Sequence, residues 1–405
     1  MRLIDRPEYI GKLKMWRDYA DVIKIVTGVR RCGKSILLTL FQDYLRANGV
    51  YKDQIQEIKF ELEENEELLN RRKLHEHILK NLNPGKMNYV FLDEIQLVTD
   101  WQKTVNSLRM RPNIDLYITG SNAYMFSGEL ATLIGGRYVE IRMLPFSFKE
   151  YVRGTGKKAG NLQEKYEKYT SESGFPQTLA FRGNRQLIND YLMNTVYQNT
   201  VQKDIVKRFK LKDTVRLDNV VRYMFDNISN ETSLRGIERG LKADRVSISP
   251  TTIDIYVQGL LDSYLMYKCD RYDIKGKRIL QSNSKYYIAD VGLRTALFGR
   301  ADTDLGRVLE NVVFLELVRR GYKVSVGKIK TSKEIEVDFV ATKPGGKIEY
   351  YQVAFTALEP GTLRRELAPL EEIKDNYPKF LLTMDYGSGV NNGIKRLNVL
   401  QWLME

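Results

Sequence analysis

The sequence predicts an α/β protein in which a parallel sheet with crossover helices comes first and helical and further αβ segments follow. Three observations carry this reading. Short apolar runs alternate with helical patterns through the first 145 residues, as strands joined by crossover helices do. A glycine-bearing loop, Gly28-Val29-Arg30-Arg31-Cys32-Gly33-Lys34-Ser35, joins the first run directly to a helix. The 405 residues, at about 150 per domain, leave room for two or three cores.

In chain order, Val22 to Thr27 reads as a strand and a helix starts at Lys34. Ile55 to Leu62 is the next strand, with a helix near Asn70 to Leu82. Tyr89 to Leu92 and Ile114 to Thr119 are strands around a helix over Trp101 to Met110. A helix over Ala123 to Leu133 and a fifth strand over Tyr138 to Leu144 complete residues 1–145. Beyond Leu144-Pro145-Phe146 the sequence turns polar and helical, with an exposed loop expected over Gly154 to Gly160 and helical period from Leu187 to about Phe209. That bounds a second segment, 146–210.

The third segment, 211–300, pairs a short helix over Leu234 to Leu241 with a second helix. Ser249-Pro250 supplies a cap and a proline at the first helical position of that second helix. Its apolar face is Ile253, Val257, Leu260, Leu261 and Tyr264. Strands over Tyr264 to Lys268 and Ile279 to Ile288 flank the turn at Asp273 to Gly276, so the segment resembles a winged helix-turn-helix. Residues 301–405 restart with a helix over Arg307 to Arg320. Strands follow at Lys323 to Val326, Glu334 to Ala341 and Lys347 to Phe355, then a helix over Leu363 to Asp375 and a strand at Phe380 to Met384.

Composition excludes several classes. Hydrophobic residues at 43%, charged residues at 28%, 25 Tyr and 15 Phe describe a folded, soluble chain. Cys32 and Cys269 are too few for a disulfide framework, and His75 and His77 are spaced wrongly for a helical metal pair. Neither a signal-peptide-like start nor an apolar run of about 18 residues occurs, so a cytoplasmic address without a membrane partner is expected. The net charge of +13 favours polyanionic partners. Residues 200–300 hold 19 Lys plus Arg against 12 Asp plus Glu. Charge alone does not choose among nucleic acid, nucleotides and acidic protein surfaces; it is this excess together with the helix pair's spacing that makes duplex DNA an expected partner of this segment.

The loop Gly28 to Ser35 has the spacing that wraps phosphate: glycines free the backbone N–H groups, and the helix behind adds its positive end. Lys34 would neutralise phosphate oxygens, and Ser35 would ligate Mg2+ beside an ATP substrate. Tyr89-Val90-Phe91-Leu92-Asp93-Glu94 ends an apolar strand in two carboxylates, Asp93 to support magnesium and Glu94 to polarise the attacking water. Ser121 or Asn122, at the end of another strand, would hold that water or sense the γ-phosphate. Arg137 would offset transition-state charge, at its own site or at that of a neighbouring copy in a homo-oligomer.

The series of phosphate loop, Leu-Asp-Glu, Thr-Gly-Ser, Gly-Arg-Tyr, Leu-Pro-Phe-Ser-Phe-Lys-Glu and Gly174-Phe175-Pro176 resembles the bacterial and archaeal AAA-type ATPases with a C-terminal domain of unknown function. The resemblance spans nearly the whole chain. It implies a P-loop ATPase core at 1–145, a helical lid at 146–210, a winged-helix segment at 211–300 and, at 301–405, a domain similar to restriction-endonuclease-like nucleases. Family members often show two glycines before the aromatic residue, where this chain has Ser173-Gly174.

In the last segment Glu334, Glu336 and Asp338 share one strand face. The nuclease-like pattern would use Glu310, Asp338 and Gln352, then a lysine two residues on, to hold a metal and activate water. Position 354 is alanine, so the expectation is a nuclease-like fold that does not cut. The expected function is magnesium-dependent ATP hydrolysis coupled to DNA or protein binding. The alternatives are a slowly hydrolysing DNA-binding switch and an ATP-dependent nuclease.

Overall fold

A computed structural model describes residues 3–123, 134–156, 160–207, 213–299, 304–330 and 334–405. The chain divides into two compact units, Met1–Leu144 with Asp262–Tyr264, and Pro145–Leu261 with Leu265–Glu405.

The first unit opens with α1 (Pro7–Met15), which sequence periodicity did not single out. Then β1 (Ile23–Thr27), α2 (Lys34–Ala47), β2 (Ile55–Lys59), α3 (Arg71–Lys80), β3 (Asn88–Asp93), α4 (Trp101–Arg109), β4 (Ile114–Gly120) and β5 (Tyr138–Arg142) follow. The expected helix over Ala123 to Leu133 lies, but for its first residue, outside the described residues. All five strands are parallel, in the order β2-β3-β4-β1-β5. β1, β3 and β4 are buried along their whole length, which is why they read as near-continuous apolar runs. Val90, Leu92, Leu116 and Ile118 meet Leu74, Ile78, Val105 and Leu108 of α3 and α4 in one core. The order inserts β4 between β1 and β3, so the carboxyl ends of three buried strands lie side by side.

One pair inside this sheet runs against the apolar pattern. Lys24 on β1 and Asp115 on β4 form an ion pair with both side chains fully buried, and Tyr117 donates to Asp115 at 2.7 Å. Burial pushes the Lys24 ammonium down and the Asp115 carboxyl up, each against the attraction of the other.

The second unit begins with α5 (Phe148–Thr155), α6 (Leu162–Glu172) and α7 (Arg185–Asp190). The helical period after Leu187 is realised as wider π-helical turns over Tyr191–Tyr197 and Thr200–Val206, while Phe209 lies outside the described residues. Ser173 adopts φ 95°, a region that favours glycine. Its hydroxyl accepts the Phe175 N–H at 3.0 Å.

Next come α8 (Thr214–Asp226), β6 (Glu231–Thr232), α9 (Leu234–Ala243), α10 (Pro250–Asp262), β7 (Met266–Asp273), β8 (Arg278–Ile288), α11 (Val291–Phe298) and α12 (Leu305–Arg319). Ser233 caps α9 by accepting the Gly236 N–H at 3.1 Å, and Ser249 accepts the Thr252 N–H at 3.2 Å at the head of α10. The unit closes with β9 (Lys323–Lys330), β10 (Glu334–Thr342), β11 (Ile348–Ala354), α13 (Pro360–Glu371), β12 (Lys379–Thr383), β13 (Gly389–Asn391), β14 (Ile394–Asn398) and α14 (Val399–Met404).

The hairpin expected as a wing does not project alone. β7 pairs in parallel with β9, placing β6, β7 and β8 in the same nine-stranded sheet as β9 to β14, in the order β13-β14-β12-β11-β10-β9-β7-β8-β6. Ile274, at the hairpin turn, packs into one core with Ile329, Val337 and Val340. The sheet therefore runs across the line at 300 where the sequence suggested a change of segment. An apolar residue at the tip of a turn gains by being buried in this way.

Candidate nucleotide site and a buried charge cluster

Sequence places the glycine loop after β1 and at the head of α2, and the backbone there requires glycine. Gly28 has φ 144°, and a Cβ at that position would stand 2.1 Å from the Met143 carbonyl oxygen. Gly33, at φ 103°, caps the amino end of α2. Arg6 braces the loop from α1's leading edge, donating to the Cys32 carbonyl at 3.3 Å and the Leu144 carbonyl at 2.8 Å. The Cys32 side chain is buried, and burial pushes its thiol up, away from the reactive thiolate. Val29 is buried as well, while Arg31 takes φ 67° in the loop. The first-turn N–H groups of α2 lack helical partners, as at any helix start, which favours an anion there.

Lys34, the first residue of α2, donates to the carbonyls of Gly28 at 3.1 Å and Val29 at 3.4 Å. It also lies 3.6 Å from Glu94 Oε1. Asp93 ends β3 and is hydrogen-bonded to the Ser35 hydroxyl. Thr119 of the neighbouring β4 donates to Asp93 Oδ1 at 2.6 Å and accepts the Glu94 N–H at 2.8 Å. One hydroxyl thus fixes both the carboxylate and the turn that aims Glu94, a residue held at φ 57°. Sequence reasoning passed over Thr119. Its signal was a hydroxyl at the end of a strand that the sheet order puts next to β3.

Ser121 Oγ donates to Glu94 Oε2 at 2.8 Å, and Gln96 donates to the same oxygen. Burial alone pushes Glu94 up. The Lys34 ammonium and the Gln96 and Ser121 donors outweigh it and hold the carboxyl below its ordinary range. Asp93 is pushed up, chiefly by burial, against the hydrogen bonds from Thr119 and Ser35. Asn122 is buried one residue beyond Ser121, and Arg30 stands 3.9 Å from Glu61. Glycine loop, Lys34, Ser35, Asp93, Glu94 and Ser121 therefore form one site at the carboxyl ends of β1, β3 and β4.

Arg137 is not brought there. Its carbonyl accepts the Ile23 N–H at 3.1 Å, and the register pairs Ile23 with Tyr138 and Thr27 with Arg142. Arg137 thus lies at the amino edge of the parallel sheet. At about 3.3 Å per residue the length of β1 separates it from its own phosphate loop, beyond the reach of its side chain. Only the role at a neighbouring copy's site survives this geometry.

In the second unit, Asp338 on β10 accepts the Val353 N–H at 2.8 Å and donates its own N–H to Gln352 Oε1 at 3.3 Å. Gln352 in turn donates to Glu366 at 3.2 Å. Glu310 of α12 reaches the same cluster through Lys285 of β8. The Lys285 ammonium lies 3.0 Å from Glu310, 2.7 Å from Glu336 and 3.8 Å from Asp338. An ammonium therefore does meet these acids, from a strand 53 residues before Asp338 rather than from position 354. No local pattern in the sequence signals that convergence.

Lys328 adds a second cation, 2.7 Å from Glu336 and 3.2 Å from Glu334. Burial and the Glu310 charge push the Asp338 carboxyl up to about 8, whereas the Lys285 and Lys328 ammonium groups overcome burial to hold Glu336 down to about 2. This donor set is arranged around an ammonium rather than left open for a divalent metal: Glu310 and Glu336 are both engaged by Lys285.

Sheet order, phosphate loop and paired carboxylates define an AAA-type P-loop ATPase module. Residues 20–152 match the family model described as AAA domain, and residues 163–304 match one described as Domain of unknown function (DUF8612). An uncharacterized protein of Haemophilus influenzae is 38% identical over 410 residues, covering 100% of this chain and 99% of its own. An uncharacterized protein of Methanocaldococcus jannaschii is 32% identical over 368 residues, covering 87% of this chain and 79% of its own. The chain belongs to the family of AAA-type ATPases that these proteins represent. A solved Walker-type ATPase of Pyrococcus abyssi shares the fold, with TM-score 0.51 at 15% identity over 73% of this chain and 96% of that one. Among the described residues no helix is long and apolar enough to cross a membrane.

Proposed function

We propose that this protein hydrolyses ATP at the loop Gly28 to Ser35, with Glu94 as the base that polarises the attacking water. The observation that carries the reading is the orientation of Glu94: buried, ionised, held on one oxygen by Ser121 at 2.8 Å and facing Lys34 across 3.6 Å. Such a carboxylate is aimed before substrate arrives. Gly28 to Gly33 would wrap the phosphates, and Lys34 would leave its carbonyl partners for phosphate oxygens. Ser35 and Asp93, already hydrogen-bonded to each other, form a hydroxyl–carboxylate pair of the kind Mg2+ takes; once bound, the ion would offset phosphate charge. Ser121 orients Glu94, and Asn122, the next residue along, would respond to the γ-phosphate. Arg137 acts, in this reading, on the site of an adjacent copy.

The second unit is assigned the output role: residues 146–210 as lid, the basic segment 211–300 as the region that binds duplex DNA, and the remainder as a nuclease-like scaffold that does not cut. Within the first unit, Thr27, the last residue before Gly28, and Tyr264 donate to the same oxygen of Glu140, at 2.7 and 2.9 Å.

The second reading, a switch that holds ATP and turns it over slowly, is favoured by the resting position of Lys34, tied to its own loop. Phosphate release by the full chain with magnesium, measured with and without duplex DNA, separates the two. Turnover raised by DNA supports the coupled ATPase, and saturating ATP binding with no turnover under either condition supports the switch.

A further inference from the structure

A two-helix DNA reader of the expected kind would place α10, the second helix, against base edges. The residues do not suit that role. α10 carries no lysine or arginine, and its exposed positions are Thr251, Asp254, Ile255 and Gln258. An exposed aspartate would face the phosphate envelope and oppose approach.

The cations stand on α9 instead. Arg235, Arg239 and Lys242 are all exposed and follow one another at four- and three-residue steps, on one face of the helix. Arg245, also exposed, extends the row past the helix end. From Arg235 to Lys242 the row covers about 10 Å of helix axis, enough to meet successive phosphates along one strand.

Among the described residues none of these four forms an ion pair with a carboxylate. Glu238, half-buried within the row at the spacing that would pair with Lys242, does not engage it either. The contrast with the preceding helix is direct: on α8, Arg222 is tied to Asp218 at 2.6 Å and Arg216 to Asp213 at 3.3 Å. Three of the four cations are arginines, the side chain that grips phosphate oxygens in a fork; Arg239 Nε also donates to the Arg235 carbonyl at 3.4 Å. The face offers no exposed aromatic anchor such as a protein partner would need.

We propose that α9, rather than α10, is the DNA-contacting helix, and that Arg235, Arg239, Lys242 and Arg245 bind the phosphodiester backbone of duplex DNA without reading its sequence. This rests on the reading of the second unit as the DNA-binding output. It alters what that output does, since a protein held by phosphates alone binds any duplex.

The test is anisotropy of a fluorescent duplex titrated with the full chain across a salt series, for wild type and for Arg235→Ala/Arg239→Ala/Lys242→Ala. Each phosphate contact contributes about 0.9 to the slope of log affinity against log salt, so three lost contacts make the slope shallower by about 2.7. Between 50 and 200 mM salt the variant's loss of affinity is then about 40-fold smaller than the wild type's. Two duplexes of unrelated sequence are expected to bind alike, and Thr251→Ala/Gln258→Ala on α10 is expected to leave affinity unchanged. ATP binding in each variant verifies folding. Wild-type binding with an unchanged slope in the triple variant overturns the α9 assignment and leaves DNA binding standing. No wild-type binding at low salt overturns both.

Discussion

Lys34 Nζ lies 3.6 Å from Glu94 Oε1, with both side chains largely shielded from solvent. The pair makes the proposed phosphate-binding cation and the proposed water-polarising carboxylate a single electrostatic unit. Because the net effect of Lys34, Gln96 and Ser121 is to hold Glu94 below its ordinary range, the acid limb of kcat/KM is expected below the usual glutamate value. Ser121→Ala removes one of the donors responsible. It is expected to move that limb upward and slow turnover by up to about tenfold, the worth of one such hydrogen bond, while ATP affinity stays within about twofold. A pH–rate series on both proteins checks this.

Arg137 sits at the sheet edge away from its own loop, and its carbonyl receives the Ile23 N–H. If it serves a neighbour, Arg137→Ala alone and Glu94→Gln alone are both slow. Mixing them is expected to restore a measurable fraction of turnover, because mixed assemblies pair an intact arginine with an intact glutamate. Phosphate release from equimolar mixtures, against each variant alone, is the measurement; no gain on mixing removes the role in trans.

Lys285 is expected to be the most sensitive position of the second unit. Lys285→Met would leave the largely shielded Glu310 without its cation, while Glu336 keeps Lys328, at a cost of about 3–5 kcal/mol. Urea unfolding should show a separate early transition of the second unit, with ATP binding by the first unit retained below it.

The same cluster sets an opposed pH dependence. Glu336 is held down to about 2, so its stabilisation is complete above the unfolded glutamate range and is lost as pH falls toward 2. Asp338 is pushed up to about 8, so between about 4 and 8 the folded state holds a proton that the unfolded chain has released. Stability from this group therefore falls as pH rises through that window. Asp338→Asn, which cannot ionise, should flatten the decline; denaturant midpoints at pH 5 and pH 8 for the two proteins give the comparison.

Legibility followed the range of the interactions. β1, β3 and β4 were readable because each is buried on both faces, the edge strands β2 and β5 because turns or helices bound them, and Gly28 to Ser35 because a phosphate loop is contiguous. Thr119 was not singled out, since its importance comes from β4 lying between β1 and β3, which is a fact of sheet order. Lys285 was invisible for the same reason at longer range: it meets Glu310 and Asp338 only once β8 enters the C-terminal sheet. The hairpin of β7 and β8 had the local pattern of a wing, and the pairing of β7 with β9 that changes its setting leaves no local trace. For Arg137 the sequence left its own site and a neighbouring copy's site open, and strand direction, which puts it at the opposite edge of the sheet, rules against its own.

The most direct test of the account is ATP binding and single-turnover hydrolysis by wild type and Glu94→Gln in magnesium. Glu94→Gln keeps the size of the side chain and a partner for Ser121 but removes the charge. The account predicts near wild-type ATP affinity and hydrolysis slowed by about 10²–10⁴-fold, the usual contribution of a positioned base. Hydrolysis by Glu94→Gln within a few-fold of wild type would contradict it and return the site to a nucleotide-holding role.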